Sequence, residues 1–180
     1  MATTYFTASS VDGFIADPEH SLSWLLSRDV DVRGSMGYER FLEESVGALA
    51  MGSTTYRWLV DHELGGDASR PWPYELPTWV FSTRPPPHHP RGDVRFVQGS
   101  VRRPHADMVA AAGERGVWVV GGGDLAGQFA DVGLLDELWV QYAPVALGAG
   151  SPLLPRHVEL RLEDVVRNRD FACARYTVLR

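Results

Sequence analysis

A chain of 180 residues, 44% hydrophobic and 22% charged, with 18 Gly and 12 Pro, can bury one sizeable core and has the make-up of a folded globular protein. Its formal net charge is -6 and all 17 basic residues are scattered Arg, which argues against nucleic acid as a partner and excludes a Schiff-base lysine, a lysine nucleophile or a P-loop. No apolar run approaches the roughly 18 residues of a membrane span; strand-like residues start almost at Met1 and Cys173 has no disulfide partner, so no export, no membrane and a reducing cytoplasm are expected.

Thr3 to Ser10 reads as a buried strand, and Asp12-Gly13 punctuates it before a short apolar piece, Phe14-Ile15-Ala16. From Ser35 the residues Met36, Phe41, Leu42 and Val46 recur at helical spacing with Glu39, Glu43 and Glu44 between them. Ala48 to Met51 is a short buried strand, and Gly52-Ser53-Thr54-Thr55 opens a second helix through His62. Glu63 to Pro77 has turn chemistry and no period, so it is a loop; Pro77 to Phe81 resumes a strand. Pro85 to Gly92, rich in Pro, is an extended surface turn before the strand Val94 to Val97. A helix over Pro104 to Arg115 leads into the apolar strand Val117 to Val120, and Gly121-Gly122-Gly123 opens another helix at Asp124. Glu137 to Ala143 is a strand, Gly148 to Gly150 a loop, and Leu160 to Val166 with Phe171 to Leu179 a strand pair. The alternation implies a single three-layer α/β domain over residues 1–180, with flanking helices on a mixed, mostly parallel sheet of about eight strands and an antiparallel edge added late. Cys173, in the last strand, reads as a packed thiol.

Two strand-to-helix turns carry glycine and small hydroxyl residues: Gly52-Ser53-Thr54-Thr55, and Gly121-Gly122-Gly123-Asp124-Leu125. A helix N-terminus presents free N–H groups and partial positive charge, and glycine lets a phosphate approach the backbone. Two such turns suit a dinucleotide, although glycines that merely permit tight turns remain the alternative for each. Gly121-x-Gly123-x-x-Ala126 formally matches the Rossmann fingerprint, but it comes late, and Asp136 and Glu137 precede the next strand instead of ending it.

In order along the chain, five segments resemble the dihydrofolate-reductase-like superfamily, in the branch of the riboflavin biosynthesis reductase domain and its stand-alone relatives. They are Thr7 to Ala16, Met51 to Tyr56, Phe81 to Arg84, Val119 to Leu125 and Ala143 to Leu153. The resemblance implies NADPH as cofactor. Ala8 and Ile15 would flank the nicotinamide, and the turns Gly52 to Thr55 and Gly121 to Leu125 would hold the pyrophosphate. Ser82, Thr83 and Arg84 would meet the adenosine 2′-phosphate, because an Arg fork and two hydroxyls match a dianion. Members of this branch often pair as homodimers, and Leu138-Trp139-Val140 is the candidate contact if this chain does so.

On the substrate side, dihydrofolate reductases carry an acid on the first helix; the matching stretch here, His20 to Leu25, has none. Trp24 could stack on a planar substrate or pack in the core, and Gln141 could hydrogen-bond a heterocycle or be plain surface. Asp12 is a proton-donor candidate if it is more than the turn residue of Asp-Gly. His88-His89 point apart on an extended chain and make a poor metal pair, so no metal is expected. The mixed charges from Glu159 to Asp170 read as a solvated face. The expected activity is hydride transfer from NADPH to a small planar heterocycle such as a pteridine, ribosylated pyrimidine or flavin-like ring. Its alternative is a nucleotide- or flavin/folate-binding protein on the same fold without turnover.

Overall fold

Strands and helices alternate from the first residues onward: β1 (Thr3–Ser10), β2 (Phe14–Ala16), α1 (Ser23–Leu26), α2 (Tyr38–Ser45), β3 (Val46–Gly52), α3 (Ser53–His62), β4 (Thr78–Phe81), β5 (Val94–Val97), α4 (Arg102–Ala112), β6 (Gly116–Gly121), α5 (Gly123–Asp131), β7 (Glu137–Ala143), β8 (Ser151–Pro152), β9 (Leu160–Asn168) and β10 (Phe171–Val178). The structure, a computed structural model, describes residues 1–67, 69–84 and 91–180. Most of the expected turn from Pro85 to Gly92, with His88-His89, lies outside the described residues.

Eight strands form one sheet in the order β5-β4-β3-β6-β1-β7-β10-β9, and β2 pairs with β8 in a separate ribbon. From β5 to β7 all neighbours run parallel, while β10 lies antiparallel to β7 and to β9. This is the expected three-layer α/β fold with its late antiparallel edge. The period of two along each central strand divides its residues between two cores. Tyr5, Ala48, Ala50, Val119 and Val140 face α4 and α5, meeting Met108, Leu125, Ala126 and Phe129. Phe6, Leu49, Met51, Val80 and Trp118 face the other way, onto Phe41 of α2 and Tyr56, Leu59 and Val60 of α3. Among the described residues, no helix is long and apolar enough to cross a membrane.

Several boundaries differ from the sequence expectation for local reasons. The helix expected from Ser35 starts at Tyr38, because Met36 has φ 54° and Gly37 is extended; Val46, counted with that helix, opens β3 instead. The α4 helix runs from Arg102 and stops before Gly113, whose φ of 64° suits a helix end. Leu138 and Val140 are 2% and 0% exposed in the core of this one chain, and Trp139 packs on Phe6 and Phe41. The two aliphatic side chains therefore have no surface to offer a second copy, which removes them as the dimer contact.

Candidate functional site

The chain leaves β3 on the α3 side of the sheet and moves to β4, but leaves the neighbouring β6 on the α5 side and moves to β7. Adjacent strands whose connections part in this way leave a crevice beyond their carboxyl ends, where ligands of open α/β sheets bind. A second opening adjoins it. Strand β1 pairs with β6 only over Thr3 to Tyr5, yet stays paired with β7 as far as Ser10. Beyond Tyr5 the β6 side of β1 therefore faces a gap. The Phe6 carbonyl accepts a hydrogen bond from the Trp118 indole, and by strand alternation the main-chain groups of Ala8 point the same way.

The two glycine turns meet at this crevice. Gly52 and Gly122 are the N-caps of α3 and α5, and neither helix has a side-chain cap. The first α5 bond runs from the Ala126 N–H to the Gly122 carbonyl, which leaves the N–H groups of Gly123, Asp124 and Leu125 directed outward. A Cβ on Gly52 would stand 3.7 Å from the Gly121 carbonyl oxygen and 3.8 Å from the Gly122 nitrogen, so the turns abut. Thr55 Oγ1 lies 3.3 Å from the Cβ position of Gly121, and Ile15 Cδ1 lies 3.7 Å from that of Gly122. The Gly121–Gly122 peptide bond is cis. One strand further out, Phe81 pairs with Gly52 and brings Ser82, Thr83 and Arg84 to the same edge. The Ser82 hydroxyl closes this turn, accepting from the Arg84 N–H at 3.1 Å and donating to the Arg84 carbonyl at 2.7 Å. The Thr83 carbonyl accepts from Gln98 at 3.2 Å. The Arg84 residue is exposed.

Trp24 takes the core alternative, while Gln141 and Asp12 have surroundings different from those expected. Trp24 is 8% exposed and packs against Ala143, Phe171 and Cys173; its ring is core, with an indole N–H that has no partner among the described residues. Gln141 is buried and not surface. It sits beside Ala8 in the β1–β7 register, and its amide nitrogen donates to the Met36 carbonyl at 2.8 Å. Asn168, also buried, holds the same connection between α1 and α2 through the Asp31 main chain and the Ser35 carbonyl. Burial pushes the Cys173 thiol up to about 11, in keeping with an inert packed strand thiol.

Asp12 is a clamp. Its carboxylate accepts from the Ser10 hydroxyl at 2.6 Å and from the Leu147 and Gly148 N–H groups at 3.0 and 2.7 Å. These bonds, the Ser10 hydroxyl first, lower its pKa to about 2, so at neutral pH it carries no proton to donate. Sequence reasoning gave no role to the strap that Asp12 holds, residues 147–156. The Leu153 N–H donates to the Gly13 carbonyl, β8 pairs with β2, and Arg156 reaches α5, so the strap links the Ile15 loop to the second glycine turn. The one sequence signal was Gly148-Ala149-Gly150, where φ is 73° and 145° at the two glycines.

A group with a folded pKa below its unfolded value stabilises above the unfolded pKa and loses that effect as pH falls through the folded one. Asp12→Asn is therefore expected to melt below the unmodified protein at neutral pH. That difference should shrink below about pH 4 and vanish near the clamp's own pKa of about 2. Melting curves against pH for both proteins check this, and a difference independent of pH would mean that the carboxylate charge is irrelevant.

Comparison with known proteins bears on the fold and the family. The family model described as the RibD C-terminal domain matches residues 54–170. The Bacillus subtilis (strain 168) protein YwjB is 28% identical over 164 residues, covering 89% of this chain and 88% of its own. The crystal structure of a putative riboflavin biosynthesis protein from Shewanella sp. PV-4 superposes with a TM-score of 0.77 at 28% identity, covering 100% of both chains. Acinetobacter baumannii RibD superposes at 0.63 with 16% identity, over 99% of this chain and 58% of that one. A pyrimidine reductase-like protein from Corynebacterium diphtheriae superposes at 0.61 with 15% identity, over 99% and 92%. The latter two likenesses concern the fold alone.

Proposed function

The chain belongs to the RibD C-terminal domain family, a branch of the dihydrofolate-reductase-like fold, and from that premise we propose that it is a reductase moving hydride from NADPH to a small planar heterocycle. The observation that carries the proposal is the meeting of two helix N-termini without side-chain caps beside the gap between β1 and β6. Bound there, NADPH would supply the hydride from its nicotinamide ring.

Everything else falls to the chain. The free N–H groups of α3 and α5, with the hydroxyls of Ser53, Thr54 and Thr55, hold the pyrophosphate. Arg84 takes the 2′-phosphate through its fork with the Thr83 hydroxyl beside it, while the Ser82 hydroxyl, whose proton goes to the Arg84 carbonyl, shapes the turn that presents them. The main-chain N–H and C=O of Ala8 receive the carboxamide in the β1–β6 gap, and Ile15 presses on the ring from the side of Gly122. The heterocycle lies on the β7 side, where Gln141 adjoins Ala8 and Trp24 backs the wall as packing. Hydride transfer then depends on holding two rings in register and keeping water from between them. The accompanying proton comes from water, because Asp12 stays ionised. The absence of a carboxylate from His20 to Leu25 argues against a folate as that heterocycle.

Thermal shift with NADPH and NADH, followed by turnover against pyrimidines, pteridines and flavins, tests this reading. NADPH is expected to stabilise the protein more than NADH, and Arg84→Ala to cut that preference about tenfold. Equal shifts in the unmodified protein would remove the 2′-phosphate assignment. NADPH binding without oxidation of NADPH by any heterocycle would leave a binding protein without turnover.

A further inference from the structure

The first turn of α5 offers its N–H groups to an anion, yet it also contains a carboxylate, Asp124. A carboxylate in that position is itself a natural occupant of the positive end of a helix and repels an incoming phosphate. A second, Asp131, ends the helix. Both are drawn to one residue from the strap: Arg156 donates from Nη2 to Asp124 at 2.9 Å and from Nε to Asp131 at 2.9 Å, while Nη1 donates to the Pro155 carbonyl at 2.8 Å. The Arg156 stem crosses α5 where a Cβ on Gly127 would come within 2.7 Å of Cγ, so the absence of a side chain at 127 gives the arginine its path. Gln128 holds the other Asp124 oxygen at 2.9 Å. The Arg156 side chain is 29% exposed against 68% for that of Asp124, so the arginine is the more enclosed partner.

We propose that Arg156 is a positioning residue for anion binding, which pins the Asp124 carboxylate to the flank of α5 and offsets its charge so that the first-turn N–H groups stay open to a phosphate. The proposal rests on the dinucleotide reading of the same turn. Asp124 contributes its N–H to that site, and its carboxylate is a competitor that Arg156 holds aside.

Arg156→Met keeps an apolar stem over Gly127 and removes the fork. Titration calorimetry with NADPH, and separately with inorganic pyrophosphate, is run on the unmodified protein, Arg156→Met, Asp124→Asn and the double variant, with melting curves to establish folding. Arg156→Met is expected to weaken both ligands about tenfold at low ionic strength, with the loss shrinking as salt is added. Asp124→Asn alone should bind more tightly, and the double variant should return to within about twofold of the unmodified protein. Undiminished affinity in Arg156→Met overturns the proposal. So does a folded double variant as weak as Arg156→Met, since that result assigns Arg156 to holding the strap alone. If the unmodified protein ignores NADPH but binds pyrophosphate with this pattern, the inference stands and the dinucleotide reading falls. If it binds neither, both fall.

Discussion

Gly123→Ala is expected to melt well below the unmodified protein. The added Cβ would lie 2.3 Å from the Pro152 carbonyl oxygen, 2.4 Å from that of Leu153 and 2.8 Å from the Leu153 carbonyl carbon. All three are main-chain atoms of the strap, so no side chain can rotate away. The strap is tied on both sides of the contact, by the Leu153 N–H on Gly13 and by Arg156 on α5, and can yield only by breaking one of these ties. Forced overpacking of this kind costs about 3 kcal/mol, which for a chain of this length lowers the melting temperature by about 6–12 °C. Circular dichroism melts of the purified variant check it. A melting temperature equal to that of the unmodified protein would mean that the strap does not press on α5 in solution.

What the sequence could reveal depended on how local the cause was. Strands β1 and β7 were legible to the residue because a buried run bounded by Asp-Gly or Gly carries its own limits; α3 was legible because Gly52 and three hydroxyl residues open an apolar period, and the start of α5 to within one residue because three glycines precede it. The start of α2 was not, since it depends on the left-handed Met36, whose carbonyl is held by Gln141 from 105 residues away. The same distance explains why the surroundings of single candidates could not be decided. Nothing near Trp24 in the chain says that Phe171 and Cys173 will cover it, and nothing near Asp12 says that two N–H groups from the strap will claim its carboxylate. The two glycine turns were visible because a helix N-terminus is made by consecutive residues. The surroundings of Gln141 and Trp24 are assembled from β1, β7, β10 and the α1–α2 connection, and no window of sequence contains them.

Gly122→Val is the variant in which cofactor binding and stability should come apart. The sequence suggests that all three glycines from 121 to 123 let the backbone approach a pyrophosphate, but the structure gives each a different reason. Gly121 has φ 155°, a conformation that L side chains rarely adopt. Gly123 is confined by the strap. Gly122 has φ -88° and ψ -175°, ordinary extended values that a β-branched residue accepts readily. Its Cβ would meet only Ile15 Cδ1, at 3.7 Å, an ordinary contact. The fold therefore sets no objection to valine, and the melting temperature should stay within about 3 °C of the unmodified value. The added side chain, however, would stand beside Ile15, in the space assigned to the cofactor between the α5 N–H groups and the ring site. NADPH affinity is expected to fall at least about 100-fold, measured by titration calorimetry on the folded variant. A folded Gly122→Val that binds NADPH as tightly as the unmodified protein would place the dinucleotide elsewhere. Low stability with unchanged affinity per folded molecule would make Gly122 a residue of the fold, like its neighbour Gly123.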